Sequence, residues 1–391
     1  MTRRVAVVAA GTSKKWGVYP GTYRDLISEA GKATFDSNPE IKPGDIEGFV
    51  VASVFPERSV FQTHVATLAA ETVGVTPTKL FQRVENMCAS GTIAIRTAYM
   101  AIASGLCDVV MVIGAEKMHT PNPVETYLSL MGGVDREYEG ALGITAPVQF
   151  AFAAQAHIQK YGTTREALAQ VSVKNHANAM NNPYAHFHKP CTIEEVLNAK
   201  PVTTPFTILE CSGITDGSAG MILMSEEKAR EYTDKPVFIL GTGQCAYGFN
   251  FANGPSDLCD WTMLNQAGKD AYKMAGIGPK DVDVAEVHDC FSISEIIISE
   301  ELGFTEKGKG GEFALQGRST YGGDVVLNPR GGLLGCGHPL GATGVAQGVE
   351  LFHQLRGEAG PRQVTGAKIG LGHNLSGLTE HSVLIYGRGD Q

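Results

Sequence analysis

The chain repeats itself. Ala30-Gly31-Lys32 is followed by Lys42-Pro43-Gly44-Asp45 and an apolar, β-branched run, Ile46–Val51. Far downstream, Ala267-Gly268-Lys269 is followed by Gly278-Pro279-Lys280-Asp281 and a similar run, Val282–Val287. From Gly to Asp the spacing is 14 residues in the first copy (31 to 45) and 13 in the second (268 to 281). A second pair of landmarks comes in the same order. Cys88-x-Ser90-Gly91 opens a helix of small residues, and Gly341-x-Thr343-Gly344 opens another. Two matched landmarks in one order point to a duplicated βα unit.

The rest of the pattern fits an α/β layered protein. Strands are expected at Val5–Ala10, Ile46–Ser53, Val109–Gly114, Val237–Gly243, Val282–Val287 and Ser382–Tyr386. Helices are expected at Tyr23–Asn38, Ser90–Ser104, Thr164–Asn181, Asp260–Ala275, Ile293–Leu302 and Ala342–Leu355. Strands alternating with helices bury apolar faces between layers. With 391 residues, 43% hydrophobic, the chain can fill more than one ordinary core. Residues 117–205 look like an insertion between the copies. They carry His119, His157, His176, His186 and His188, and loops on a rigid scaffold commonly build binding sites.

Composition narrows the function classes. The net charge is −9 and there is no basic tract, so nucleic acid is not an expected partner. A phosphate-bearing ligand stays open, since helix N-termini and a few local cations can hold one. Val5–Ala10 reads as a buried strand rather than the core of a signal peptide, and no apolar run is long enough to span a membrane. The eight cysteines are scattered singly, without a CxxC pair. That suits free thiols in a reducing cytoplasm.

Four segments can carry chemistry. Cys88 lies just ahead of a buried small-residue helix, where the positive end of the helix dipole favours a thiolate. The plain alternative is an inert core thiol. His338, in Cys336-Gly337-His338-Pro339, sits between glycines on a loop feeding a helix and can serve as a general base, or be a simple turn histidine. His288 and Cys290 follow the strand Val282–Val287, at the carboxyl end where such sheets bind ligands. His288 can donate to an oxyanion and Cys290 can exchange a proton; alternatively Asp289 caps the next helix and Cys290 fills core. Gly370–Gly377 reads as a turn between two terminal strands, able to present backbone N–H groups or merely to connect a hairpin. His186-x-His188-x-x-Cys191 lacks the paired spacing of a structural zinc site, and no metal is expected.

Together these motifs resemble the thiolase superfamily over essentially the whole chain. The Cys88 segment is similar to the family's nucleophile motif, Gly337-His338-Pro339 to its GHP motif, and Ser212-Gly213 with Asp216-Gly217-Ser218-Ala219 to the stretch that re-enters the first half. Where many thiolases carry NEAF, this chain has His288-Asp289-Cys290-Phe291; where they carry a C-terminal Cys-x-Gly, it has His373-Asn374-Leu375-Ser376. Both departures resemble the sterol-carrier-protein type.

That resemblance implies two βαβα halves in a five-layer α-β-α-β-α arrangement. The first half would be 1–118 with 206–233 and the second 234–391, with 119–205 a loop domain over the coenzyme A site. It implies an acyl-CoA acyltransferase in which Cys88 carries the acyl group and Cys290 replaces the missing C-terminal cysteine as acid/base. His288 and His338 would serve one oxyanion, and the backbone N–H groups of Cys88 and Ser376 another. Ser212 is the one candidate contact to coenzyme A, a co-substrate rather than a resident cofactor. At least a dimer is implied, and some relatives work with a small OB-fold and zinc-ribbon partner. The rivals are a decarboxylating, ketoacyl-synthase-like enzyme using the same Cys-His-His set, and a non-catalytic acyl-CoA-binding subunit.

Overall fold

The structure is a computed structural model, and it describes residues 3–248 and 257–389. Ten strands form its main sheet: β1 (Val5–Thr12), β2 (Gly48–Ala52), β3 (Leu80–Val84), β4 (Val109–Glu116), β5 (Gly217–Ser225), β6 (Val237–Ala246), β7 (Val284–Glu286), β8 (Val326–Leu327), β9 (Ile369–Ser376) and β10 (Glu380–Arg388). Their order is β8-β7-β9-β10-β6-β1-β5-β4-β2-β3. At the centre, β6 and β1 touch over only two residue pairs, Ala6 with Phe238 and Val7 with Val237. On either side of that seam the topology is the same. In the first half β3, β2 and β4 run parallel, and β5 and β1 each pair antiparallel. In the second half β8, β7 and β9 run parallel, and β10 and β6 each pair antiparallel. The repeat in the sequence is a repeat in the fold.

The longer helices that build the layers include α1 (Tyr23–Ser37), α2 (Val65–Val73), α3 (Ser90–Ala103), α4 (Ala146–Tyr161), α5 (Arg165–Ala179), α6 (Thr262–Ala275), α7 (Ser292–Glu301) and α8 (Leu340–Arg356). Strand residues alternate between two buried faces. Val109, Met111 and Ile113 pack against α1 and α2; Val110 and Val112 face α3 and α8. In the second half Leu384 and Tyr386 face α3 and α8, while Val383 and Ile385 pack against α6 and α7. Burial on both faces explains the nearly continuous apolar runs. The result is the five-layer α-β-α-β-α arrangement, with one helix of each half in the middle layer. From 119 to 205 the chain leaves the main sheet, and α4 and α5 pack against α7.

The repeated landmarks have repeated jobs. Asp45 Oδ2 accepts from the backbone N–H of Lys42 at 2.8 Å, and Asp281 Oδ2 from that of Gly278 at 2.7 Å. Each closes a short turn before a strand. Gly91 and Gly344 lie where α3 and α8 cross. A Cβ on Gly344 would stand 2.3 Å from the nitrogen of Thr92, so only hydrogen fits there.

Two readings need correction. Gly370–Gly377 is not a turn: Ile369–Ser376 is β9, paired along its length with β10. Its glycines let the strand lie against α8, since a Cβ on Gly370 would meet Leu351 Cδ2 at 3.0 Å. The turn itself comes at Gly377, with φ +57°. The re-entry at Asp216–Ala219 opens β5, a buried central strand for which no strand was expected.

Candidate active site

Cys88 sits in a single helical turn, Met87–Ala89, between β3 and α3. Met87 is held in the left-handed region at φ +43°. Its N–H donates to Glu85 Oε1 at 2.7 Å, and Ser90 Oγ donates to its carbonyl at 2.6 Å while accepting from Asn86 N–H at 2.8 Å. An outlier braced on both sides is a feature of a functional turn. Around Cys88 lie Val54, Phe55, Met118 and Leu340, with Met87, Leu130 and Ile214 packed alongside. Burial pushes the thiol up to about 12, and the nearby carboxylates of Glu116, Glu380 and Glu85 push the same way. Desolvation thus opposes the thiolate expected from the helix N-terminus and favours the neutral thiol.

His338 is buried on the loop entering α8. Its Nδ1 lies 2.7 Å from Thr343 Oγ1, and that hydroxyl donates to the Pro339 carbonyl at 3.0 Å. A hydroxyl has one proton, so Thr343 accepts from Nδ1–H. The lone pair of His338 is then on Nε2, which is buried and without a hydrogen-bond partner. Burial, with the Arg330 charge, lowers this imidazole to about 3, so it is neutral. Gly337 is required to turn the loop: its φ is +96°, and a Cβ would meet Thr215 Oγ1 at 2.5 Å.

His288 follows β7 and is fully buried, its ring edge-on to that of His338 with centroids 4.8 Å apart. Neither ring nitrogen of His288 makes a hydrogen bond of ordinary geometry, although the Asn374 side chain is within its reach. The Cys88 sulfur and one ring nitrogen of each of these histidines all lie within 4.8 Å of one another. Cys290 is buried in the same centre. Burial first, and then Cys88 itself, raise its thiol well above the usual range. Ser212 enters through its backbone, its N–H donating to the Cys290 carbonyl at 2.9 Å. Ser376 ends β9, the strand that packs against the Met87–Ala89 turn.

The candidate metal cluster is not assembled. His186 Nδ1 pairs with Thr215 Oγ1 at 2.9 Å and His188 Nε2 with the Asn182 carbonyl at 2.7 Å. Asp289 does not cap its own helix. It accepts from Leu333 N–H at 2.6 Å, Leu334 N–H at 3.3 Å and Asn175 Nδ2 at 2.7 Å. It thus ties the His288 loop to the turn that leads into His338.

Glu116 escaped the sequence reading. At the end of β4, its carboxylate accepts from Val54 N–H at 2.7 Å, Phe55 N–H at 3.4 Å and, across the two halves, Gly341 N–H at 3.0 Å. Burial raises it to about 7. A lone charge closing the apolar run Val109–Glu116 was the available signal.

Residues 5–204 match the family model of the thiolase N-terminal domain, and 252–388 match that described as thiolase C-terminal domain-like. The chain belongs to the thiolase family. This thiolase is 42% identical over 375 residues to an acetyl-CoA acetyltransferase of Methanothermobacter thermautotrophicus, covering 96% of this chain and 97% of that one. It is 36% identical over 391 residues to sterol carrier protein 2 of Bos taurus, covering 96% of this chain and 70% of that one. Among solved structures, the Ltp2-ChsH2(DUF35) aldolase superposes with a TM-score of 0.85 at 23% identity, over 100% of this chain and 99% of that one. Human mitochondrial 3-ketoacyl-CoA thiolase superposes with a TM-score of 0.75 at 20% identity, over 99% of each chain. Among the described residues, no helix is long and apolar enough to cross a membrane.

Proposed function

We propose that this thiolase cleaves or forms 3-oxoacyl-CoA through an acyl group carried on Cys88. The observation that carries the reading is the convergence of the Cys88 sulfur with a ring nitrogen of His288 and of His338, all within 4.8 Å. A neutral thiol facing a neutral imidazole lone pair is the resting state of a nucleophile that ionises only when it attacks.

In cleavage, the Cys88 proton passes to His338 Nε2 as sulfur attacks the 3-keto carbon. The bond between C2 and C3 breaks, and Cys290 gives its proton to the departing acyl-CoA carbanion. The proton on His338 then returns to Cys290. His338 next takes the proton of free coenzyme A, whose sulfur attacks the thioester, and returns it to Cys88 as that sulfur leaves. Synthesis is the reverse. His288 and His338 serve one oxyanion, and the N–H groups of Cys88 and Ser376 the other. Loss of one such donor typically costs about 2.7–4 kcal/mol of barrier.

The apolar wall of Val54, Phe55, Met118, Leu130 and Leu340 would meet the acyl chain, which we take to be branched or aromatic. We take 119–205 as the loop domain over coenzyme A, with Ser212 at its edge, and 1–118 with 206–233 and 234–391 as the two halves. Coenzyme A is a co-substrate, the working unit is at least a dimer, and the compartment is the cytoplasm. A small OB-fold and zinc-ribbon partner would complete the coenzyme A site; the two-part name of the Ltp2-ChsH2(DUF35) aldolase supports looking for one.

The test is mass spectrometry of Cys88 after mixing with a panel of 3-oxoacyl-CoA substrates. An acyl adduct that turns over on adding coenzyme A is expected. Turnover without an adduct overturns the mechanism, and carbon dioxide released from a malonyl thioester would move the enzyme to the decarboxylating class.

A further inference from the structure

We propose that Cys88, His288 and His338 form a reversible, inhibitory binding site for a thiophilic divalent cation, Zn2+ above all. The site rests on the same centre as the proposed function but goes beyond it. One ligand atom from each residue already lies within 4.8 Å of the other two. Nε2 of His338 is buried without a hydrogen-bond partner, and neither nitrogen of His288 makes a hydrogen bond of ordinary geometry, so at most a poor contact with Asn374 must be given up. His338 has its other nitrogen fixed by Thr343 at 2.7 Å, which aims Nε2 as metal-binding histidines are usually aimed. Cys88 is only partly buried, which leaves an approach.

A thiolate with two neutral imidazoles is a zinc donor set. Three protein ligands leave one tetrahedral position open for water. Zn–S near 2.3 Å and Zn–N near 2.0–2.1 Å require the ligand atoms to close in by about 1 Å, within the reach of side-chain rotation. On binding, the Cys88 proton goes to solvent and the sulfur ligates as thiolate. An acyl group on Cys88 removes that ligand, so acylation and zinc exclude each other.

The test uses the intact protein, dialysed free of metal and titrated with Zn2+ alone by calorimetry. X-ray absorption then reads the ligands. One zinc per chain is expected, with one sulfur and two nitrogen ligands, lost on Cys88→Ser. Thr343→Val should weaken binding about 10–100-fold, and His188→Gln with Cys191→Ser should leave it unchanged. Prior acylation of Cys88 should block uptake. A spectrum without sulfur in the unmutated protein, or unchanged uptake by folded Cys88→Ser, overturns the proposal. Because ligation is read without turnover, zinc capture in an enzyme that never acylates would sink only the catalytic reading. Acyl transfer without zinc capture would sink only this one.

Discussion

The two halves share one topology and divide the work. After β2 the first half continues through Ser53 into Val54 and Phe55, part of an apolar wall; after β7 the second continues into His288, Asp289 and Cys290. β4 ends on Glu116, turned inward to hold backbone N–H groups of both halves; β9 ends on Ser376 and packs beside the Cys88 turn. The helix following β3 is preceded by Cys88, and the one following β8 and its turn by His338. Duplication supplies matched loops at one end of the two halves of the sheet, and each position can then specialise. Under the proposed mechanism the first copy would hold the nucleophile and a wall, and the second the groups that move protons.

Substitutions can break that division. Cys88→Ala should lower cleavage of a 3-oxoacyl-CoA on the order of 10⁴-fold or more, since the covalent route is lost. Surviving turnover in a spectrophotometric assay would place the chemistry wholly in the second half. Cys290→Ala should lower condensation about 10²–10⁴-fold while leaving transfer of an acyl group from acyl-CoA to Cys88 visible by mass spectrometry. Equal loss of both steps would return Cys290 to a packing role.

Other experiments sharpen it. Because burial raises the Cys88 thiol, its thiolate fraction climbs about tenfold per pH unit between pH 7 and 9, and alkylation by iodoacetamide should follow. A plateau near pH 8.5 would mean an unperturbed thiol. Gly344→Ala, at the crossing of the two middle helices, should cost about 1–3 kcal/mol by overpacking, measured by denaturant unfolding. His381 is buried and lowered to about 3 by desolvation, so below pH 6.5 the unfolded chain takes up a proton that the native state refuses. Its stabilising term is present above 6.5 and falls as pH drops. Relative to the parent protein, His381→Gln should therefore destabilise about 2 kcal/mol less at pH 5 than at pH 8. A constant difference would show that His381 does not titrate on unfolding.

Much of this was legible in the sequence. Helices such as Tyr23–Ser37 and Thr262–Ala275 lie within two residues of the spans read from apolar spacing, and the Gly-to-Asp landmarks announced the repeat. What was not legible depends on partners distant in sequence. Gly217–Ser225 begins with small residues and reads as a loop until β1 and β4 bury it. Ile369–Ser376 carries glycines, His373 and Asn374, all turn-like, and becomes a strand because α8 needs close approach. Cys88 carries no sign of its raised thiol in the local sequence, because the walls that desolvate it come from residues 54, 55, 118 and 340. The pairing of Asp289 with Leu333 and Leu334 was hidden for the same reason.

The middle layer takes one helix from each copy, and this sets an order for biosynthesis. Until α8 emerges, the inner faces of β1, β4 and β5 have only α3 to cover them. The nascent first half must therefore wait with apolar surface uncovered, and its closure depends on contacts of long sequence separation, which form slowly. A cell making this protein should need chaperones at that stage. Cutting the gene between the copies should yield an insoluble first half rather than an independent domain.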